Sequence, residues 1–335
     1  TVPDTVRVGL ESVCKNVASA SIGVWELQIG MQKGDGFQRG GVITSSGLFT
    51  ARPAVGDYIA VDKTMDCADA LDMANDMKKS GLDTYAAYLS GGDWTVYVKD
   101  ASVSAVEAAA DENASRASFE GVAITGGEAP VLVPENAVMM GGNVADTFKL
   151  NSMPYRGMLT FSVNGSSMTG VNIIGLEEYL CGVVPSEMPK SYDAEALKAQ
   201  AVAARTYAMT KLGAHTGSGY QLCDTTACQV YKGYSNEADA TTAAVDATAG
   251  EVACYNGSPI EAVFSASTGG YTESSENVWN TAVPYLRAVP EPGEYGDNSW
   301  TKTLTLDELT ALLQAKGENI GTAKDIVITK FSTGG

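Results

Sequence analysis

The chain has 335 residues, 44% of them hydrophobic, with 40 acidic against 22 basic side chains and a formal net charge of −18. That balance excludes a nucleic-acid binder, because little is present to neutralise a phosphate backbone, and it offers no basic patch to an anionic membrane. No apolar run approaches the ~20 residues of a membrane-spanning helix, and six cysteines are too few to build the fold from disulfides.

The length allows two or three domains. Residues 6–60 read as strands: Val6, Val8 and Leu10 alternate with Arg7 and Gly9, Ile22, Val24 and Trp25 begin a second run, and 26–29 alternate again. Glycines at 34, 36, 40 and 41 mark turns. From 64 the pattern changes. Cys67–Lys79 predicts a helix with Ala68, Leu71, Ala74 and Met77 on one face, ended by Gly81. Residues 83–89 and 94–98 predict two strands about a Gly91-Gly92 turn, and Ser102 or Ser104 opens an alanine-rich helix reaching Ala114. This order resembles a SPOR-like repeat, which in other proteins binds glycan strands stripped of stem peptides. Under that resemblance Tyr85, Tyr88, Trp94 and Tyr97 are candidate sugar-stacking aromatics; packing in a core is the alternative. Residues 118–175 return to strands, with a loop in 126–134 and strands near 155–157, 159–163 and 171–174.

The centre of the chain carries two features. Residues 176–184 are apolar at helical spacing, and Pro185 is expected to stop that helix, leaving Ser186, Glu187 and Met188 in a short segment before Pro189. Residues 194–212 contain neither glycine nor proline and are dense in alanine, which predicts a helix with Asp193 as N-cap and Glu195 in its first turn. Arg205 and Tyr207 lie on this helix, with Arg205 placed to reach back toward Glu187. A solvated Glu in a turn and a solvated Arg are the plain alternative.

The strings EYLCGVVPSEMP and EALKAQAVAARTYA resemble the signature of the SpoIID/LytB family. The likeness continues in the family's order through Cys223-Asp224-Thr225-Thr226, Gln229-Val230-Tyr231-Lys232-Gly233, FSASTGGYTESSENVW and PYLRAV, from about Tyr155 onward. Members are secreted or membrane-anchored bacterial proteins that act on peptidoglycan, and the sporulation members are lytic transglycosylases. The resemblance therefore implies an exported chain whose N-terminal signal or anchor is missing. Thr1 reads as a trimmed start and residues 332–335 as a cut or processed end, just past an expected strand at 326–328.

His215, the single histidine, stands in a glycine-rich loop ahead of Cys223 and Cys228 in an H-x7-C-x4-C pattern. Imidazole and thiolates suit tetrahedral zinc; a loop histidine beside a Cys223–Cys228 disulfide is the other reading. Some family members hold zinc in this loop, and some carry a histidine just before the second cysteine. Here Ala227 stands there, which leaves water, Asp224 or a distant group as fourth ligand. A structural zinc holding the loop beside Glu187 is the preferred role. Cys181 and Cys254 sit in apolar contexts and read as buried thiols.

Residues Ser265, Ser267, Thr268, Gly269, Gly270 and Tyr271 combine small hydroxyls with a glycine pair that permits close approach of a ligand. The family resemblance makes this stretch a wall of a glycan groove, with Tyr231, Tyr271 and Trp279 stacking on sugars; a tight turn is the alternative. A Ser-His relay is not available, because the one histidine belongs to the metal pattern. Lys302, beside Trp300, is a lesser basic candidate.

Most glycosidases need two carboxylates. A lytic transglycosylase works with one, because the C6 hydroxyl of the substrate is the nucleophile. Glu187 is the candidate acid and base, with Val183 and Met188 as the apolar surround such a proton donor requires. Arg205 is then expected to orient substrate or steady charge without a tight pair to Glu187. A non-catalytic wall-binding or amidase-enhancing protein, with wall-remodelling partners, is the second reading; a zinc peptidase lacks an HExxH pair. The expected architecture is α+β: a β-rich body begun by 1–61, a small SPOR-like subdomain at 62–117 inserted into it, and a catalytic domain with helices and zinc loop over 118–335.

Overall fold

In the computed structural model, residues 2–89, 91–142, 147–291, 301–329 and 331 are described. Trp300 and residues 332–335, named above, lie outside them. The fold is mixed α+β, and the chain forms two units, Thr1–Val263 and Phe264–Gly335.

The first unit begins with five strands: β1 (Thr5–Gly9), β2 (Ala20–Gly23), β3 (Glu26–Lys33), β4 (Gly36–Thr44) and β5 (Phe49–Val61). Helix α1 (Cys67–Lys79) follows, capped by the Asp66 side chain on Asp69 N and turned off at Gly81, whose φ of +86° suits glycine. Strands β6 (Asp83–Tyr88) and β7 (Trp94–Lys99) form a hairpin, and α2 (Val103–Ala110) is capped by Ser102. This helix ends four residues short of the Ala114 expected from its alanines. Asp111 takes a left-handed conformation, and Ala114 opens β8 (Ala114–Thr125) instead. After β9 (Val131–Pro134) come β10 (Val138–Gly141), β11 (Phe148–Leu150), β12 (Met153–Tyr155), β13 (Met158–Asn164) and β14 (Ser167–Gly175).

These strands make two sheets. One has the order β12-β11-β2-β5-β7-β6-β9-β8, and β8 pairs β5 again along Thr50–Val61, so β5, β7, β6, β9 and β8 close on themselves like a barrel. The segment β5-α1-β6-β7-α2-β8 is a β-α-β-β-α-β unit with the spatial order β6-β7-β5-β8, the split βαβ arrangement. The period of two in β6 and β7 sorts the aromatics by face. Tyr88 and Trp94 are buried in the main core together with Ala70, Ala74 and Met77 of α1, whereas Tyr85 and Tyr97 join Tyr58 and Phe119 in a separate cluster. Trp94 donates to the Gly40 carbonyl at 3.0 Å, and a side chain at Gly40 or Gly41 would strike the Tyr88 or Trp94 ring.

The other sheet runs β14-β13-β10-β3-β4 inward from β1, with β15 (Leu222–Cys223) added in parallel beside β1 at Val8 and Gly9. Helix α3 (Leu176–Glu187) leaves β14 without a loop, α4 (Ala194–Lys211) returns after six residues, and α5 (Asp239–Ala247) packs against both. A small hairpin, β16 (Cys254–Tyr255) with β17 (Ser258–Pro259), closes the unit. Cys181 is buried as read, but Cys254 is exposed. Among the described residues no helix is long and apolar enough to cross a membrane.

The second unit holds α6 (Ser275–Trp279) and α7 (Leu306–Ala315). A reciprocal capping box between Thr305 and Glu308 starts α7. The expected strand at 326–328 is not formed: Ile326, Val327 and Ile328 lie in irregular chain, each about two-thirds exposed.

Candidate active site

Glu187 is the last residue of α3, so the helix runs through Pro185 instead of stopping there. Proline lacks an N–H and forfeits one bond, to the carbonyl four residues back. The ladder resumes at once, with Met188 N donating to Val184 O at 2.9 Å, and Ser186 Oγ caps the Gly182 carbonyl at 3.0 Å. The helix ends at Met188, extended because Pro189 follows. Val183 is buried, Glu187 and Met188 are half-buried, and Glu187 Oε1 accepts a hydrogen bond from Val230 N at 3.0 Å.

Val230 belongs to a loop locked by buried polar contacts. Gln229 Nε2 donates to Ala204 O on α4 at 3.1 Å, and its Oε1 accepts from Tyr179 Oη of α3 at 3.3 Å. Tyr231 is 3% exposed and its hydroxyl donates to Asn172 Oδ1 at 2.9 Å, so it is a core residue and not the sugar-stacking ring expected of it. Burial pushes the hydroxyls of Tyr179 and Tyr231 well above the ordinary phenol value. A Cβ at Gly182 would lie 2.6 Å from the Tyr231 ring, so only glycine lets the loop sit this close to α3.

Arg205 does not reach Glu187. It is fully buried and forks onto Glu177 at the start of α3, Nε to Oε1 at 2.9 Å and Nη2 to Oε2 at 2.5 Å, with further bonds to the carbonyls of Glu251 and Val245. Its place is that of a clamp among α3, α4 and the chain after α5. Tyr207, half-buried, lies under the Lys211 ammonium at 5.4 Å. Ser265, Ser267 and Tyr271 are exposed, Thr268 and Gly270 partly so, all within the second unit. Tyr271 bridges to Pro290, and Thr268 bonds Glu291.

His215, Cys223 and Cys228 come together. Their ligand atoms lie within 4.8 Å of one another, with Cys228 Sγ 3.3 Å from His215 Nε2, and both cysteines are buried free thiols. Two soft sulfurs and an imidazole at that spacing fit a tetrahedral zinc. Burial pushes the Cys228 thiol up to about 11. Asp224, one possible fourth ligand, is instead buried against Ser12, whose N and Oγ donate to its carboxylate. Burial raises the Asp224 carboxyl, partly offset by those bonds. Sequence reading did not single out Glu11, whose carboxylate lies 3.9 Å from His215 Nδ1 and accepts from Tyr220 Oη at 2.6 Å. Burial works against its ionisation, yet the Lys15 and Tyr220 bonds hold the Glu11 carboxyl below the usual range. The histidine–cysteine cluster and Glu187 share one loop: Tyr231 N bonds Asp224 O at 3.2 Å, closing a stretch that carries Cys228 two residues before Val230.

Comparison with known proteins bears on this region. Residues 164–255 match the family model described as SpoIID, Stage II sporulation protein. It is 50% identical over 130 residues to the amidase enhancer of Bacillus subtilis (strain 168), covering 39% of this chain and 17% of that protein. It is 39% identical over 163 residues to stage II sporulation protein D of the same organism, covering 44% of this chain and 48% of that one. An uncharacterised Brachyspira hyodysenteriae protein is 42% identical over 166 residues, covering 49% and 45%. The chain thus spans less than half the length of these curated relatives.

Proposed function

We propose that this protein acts on the bacterial cell wall as an exported lytic transglycosylase, cleaving peptidoglycan glycan strands with Glu187 as the single acid and base. The observation that carries the reading is the state of Glu187: half-buried at a helix end, one oxygen held by a backbone N–H, and Arg205 committed elsewhere. In the reaction the Glu187 carboxyl gives its proton to the glycosidic oxygen as the bond to C1 of N-acetylmuramic acid breaks. The C6 hydroxyl of that same sugar attacks C1, and its proton passes to the Glu187 carboxylate. No water is consumed, the enzyme ends as it began, and one product carries a 1,6-anhydro ring. General acid–base help of this kind accounts for about 10²–10⁴ in rate.

His215, Cys223 and Cys228 would hold zinc as a cross-link, which supplies rigidity to the loop that presents Val230 to Glu187. Glu11 stands on the far side of the imidazole, where such ligands are usually oriented by a carboxylate. The β-α-β-β-α-β unit supports a SPOR-like reading of the inserted segment around 62–117, and its topology extends that unit to include β5 and β8. Tyr85 and Tyr97, half-buried and paired across β6 and β7, are its better candidates for sugar contact; Tyr88 and Trp94 are core.

A second reading, an amidase-enhancing wall protein without its own cleavage, draws on the likeness to the amidase enhancer and on Arg205 being a clamp. Mass spectrometry of products after incubation with denuded glycan strands separates the readings. Anhydro-muramic ends support the transglycosylase, and unchanged strands with binding retained support the second reading.

A further inference from the structure

We propose that Tyr234 is a stacking platform for a pyranose of the glycan strand, a sugar or two along from the bond at Glu187, an inference that rests on the glycan reading above. The Tyr234 side chain is 40% exposed. The Arg156 guanidinium covers one face of the ring, its central carbon 4.3 Å from the ring centroid. What stands open to solvent is therefore the other face and the edge. A single exposed aromatic needs no explanation by itself; the way the chain places and holds this one does.

The chain on either side of Tyr234 is pinned to the end of α3. Val230 N bonds Glu187 Oε1 at 3.0 Å, and Asn236 Nδ2 donates to Ser186 Oγ at 2.8 Å. The two anchors are consecutive residues of α3, so the segment between them is a loop rooted beside Glu187. Gly233 is where that loop turns. It is buried with a φ of +63°, and a Cβ there would lie 2.5 Å from the Pro154 carbonyl oxygen and 2.7 Å from the Tyr155 ring. Its own carbonyl packs against Gly182, one helical turn before Ser186. The chain thus threads between β12 and α3 at Gly233 and emerges at Tyr234, which opens a single 3-10 turn ending at Asn236. At about 2 Å of rise per residue, Tyr234 stands about 4 Å along that turn from the Asn236 anchor. A strand seated over Glu187 need extend only a sugar or two to reach the ring.

The ring is also held still. Arg156 forks onto Glu237, Nε to Oε1 at 2.8 Å and Nη2 to Oε2 at 2.9 Å, and Glu237 directly follows the turn that carries Tyr234. A cation seated on one face fixes the ring, so little side-chain freedom is lost when a ligand meets the other face. The face of an aromatic ring is apolar and electron-rich. A pyranose with equatorial substituents presents the matching surface, a flat patch of axial C–H groups, and both sugars of an N-acetylated glycan have it. Such a platform reads the sugar ring and makes no use of a stem peptide.

The test uses the full chain and a tetrasaccharide of alternating N-acetylglucosamine and N-acetylmuramic acid, with Glu187→Gln as the non-cleaving background. Adding Tyr234→Ala should weaken tetrasaccharide affinity about three- to tenfold, the loss of one aromatic contact. Tyr234→Phe and Tyr234→Trp should keep the parental affinity, because stacking needs the ring and not the hydroxyl, and the new indole emission of Tyr234→Trp should shift when tetrasaccharide is added. Tyr234→Leu, apolar but not flat, should bind as weakly as the alanine variant. Unchanged affinity in Tyr234→Ala overturns the proposal, and a melting temperature that drops in that same variant would make the ring a partner of Arg156 only. Full affinity in Tyr234→Leu overturns it as well, since bulk alone would then suffice. A background protein that does not bind the tetrasaccharide, paired with a wild type that does not cleave strands, overturns the glycan reading itself. That result is distinct from a Tyr234 variant that behaves as its parent.

Discussion

Two carboxylates of helix α3, Glu177 near its start and Glu187 at its end, are treated in opposite ways. Glu177 in the first turn is neutralised by a fully buried arginine in a two-bond fork and accepts Gly250 N as well. Glu187 at the last turn has one backbone N–H, presented by the loop that also carries Cys228. A carboxylate saturated by a buried cation is fixed and holds helices together. One held lightly keeps an oxygen for chemistry. The same helix therefore separates the structural charge from the one proposed to react by ten residues.

The contrast breaks most sharply at its reactive end. Glu187→Gln should lower strand cleavage by about 10²–10⁴ with the melting temperature unchanged, read by product release from denuded glycan. At the structural end the signs reverse. Arg205→Met should cost about 1–3 kcal/mol in urea unfolding, because the Val245 and Glu251 carbonyls lose their donor and the partly exposed Glu177 loses its cation; cleavage should fall only in proportion to the protein unfolded. Stripping metal with a chelator tests the link between the two ends of the argument. It should destabilise by about 2.7 kcal/mol for a metal present at a hundred times its Kd, and lower cleavage further as Val230 loosens.

Smaller effects sharpen the packing account. Gly182→Ala places a methyl 2.6 Å from the Tyr231 ring, an overpacking worth about 1–3 kcal/mol in denaturant unfolding. The last is a pH effect. Burial pushes the thiols of Cys14, Cys67 and Cys181 up to about 11. The unfolded chain releases those protons from about 8.5 upward, so the folded state binds more protons in that window and stability falls as pH rises through it. Below the window their contribution is complete. The urea midpoint should drop between about pH 8 and about pH 10, less so in Cys14→Ala.

Local pattern carried much of this fold. Helix α1 follows its apolar face and Asp66 cap, the β6–β7 hairpin its alternating apolar residues, and α4 its alanine-rich stretch free of glycine and proline. What local pattern missed depends on contacts across the chain. Arg205 pairs with Glu177, 28 residues away, because α4 folds back along α3, and spacing alone pointed to Glu187. Pro185 was expected to end α3, yet with a single bond forfeited near the helix end the ladder closes around it. Tyr231 looks like a loop aromatic awaiting a sugar. The signal against that was Gly182, a glycine in mid-helix that marks where another group comes close. That His215, Cys223 and Cys228 converge was legible from the types and order of those residues; Glu11 was not, because it comes from just after β1, at the other end of the sequence.

The central claim is that Glu187 lends a proton and takes it back, with the sugar's own hydroxyl as nucleophile. Denuded strands digested in heavy-oxygen water and weighed by mass spectrometry test it directly. The account predicts anhydro-muramic ends, one water lighter than hydrolysed ends and free of solvent oxygen, formed by the wild type and not by Glu187→Gln. Reducing ends that carry solvent oxygen, or anhydro ends formed equally by Glu187→Gln, would contradict it.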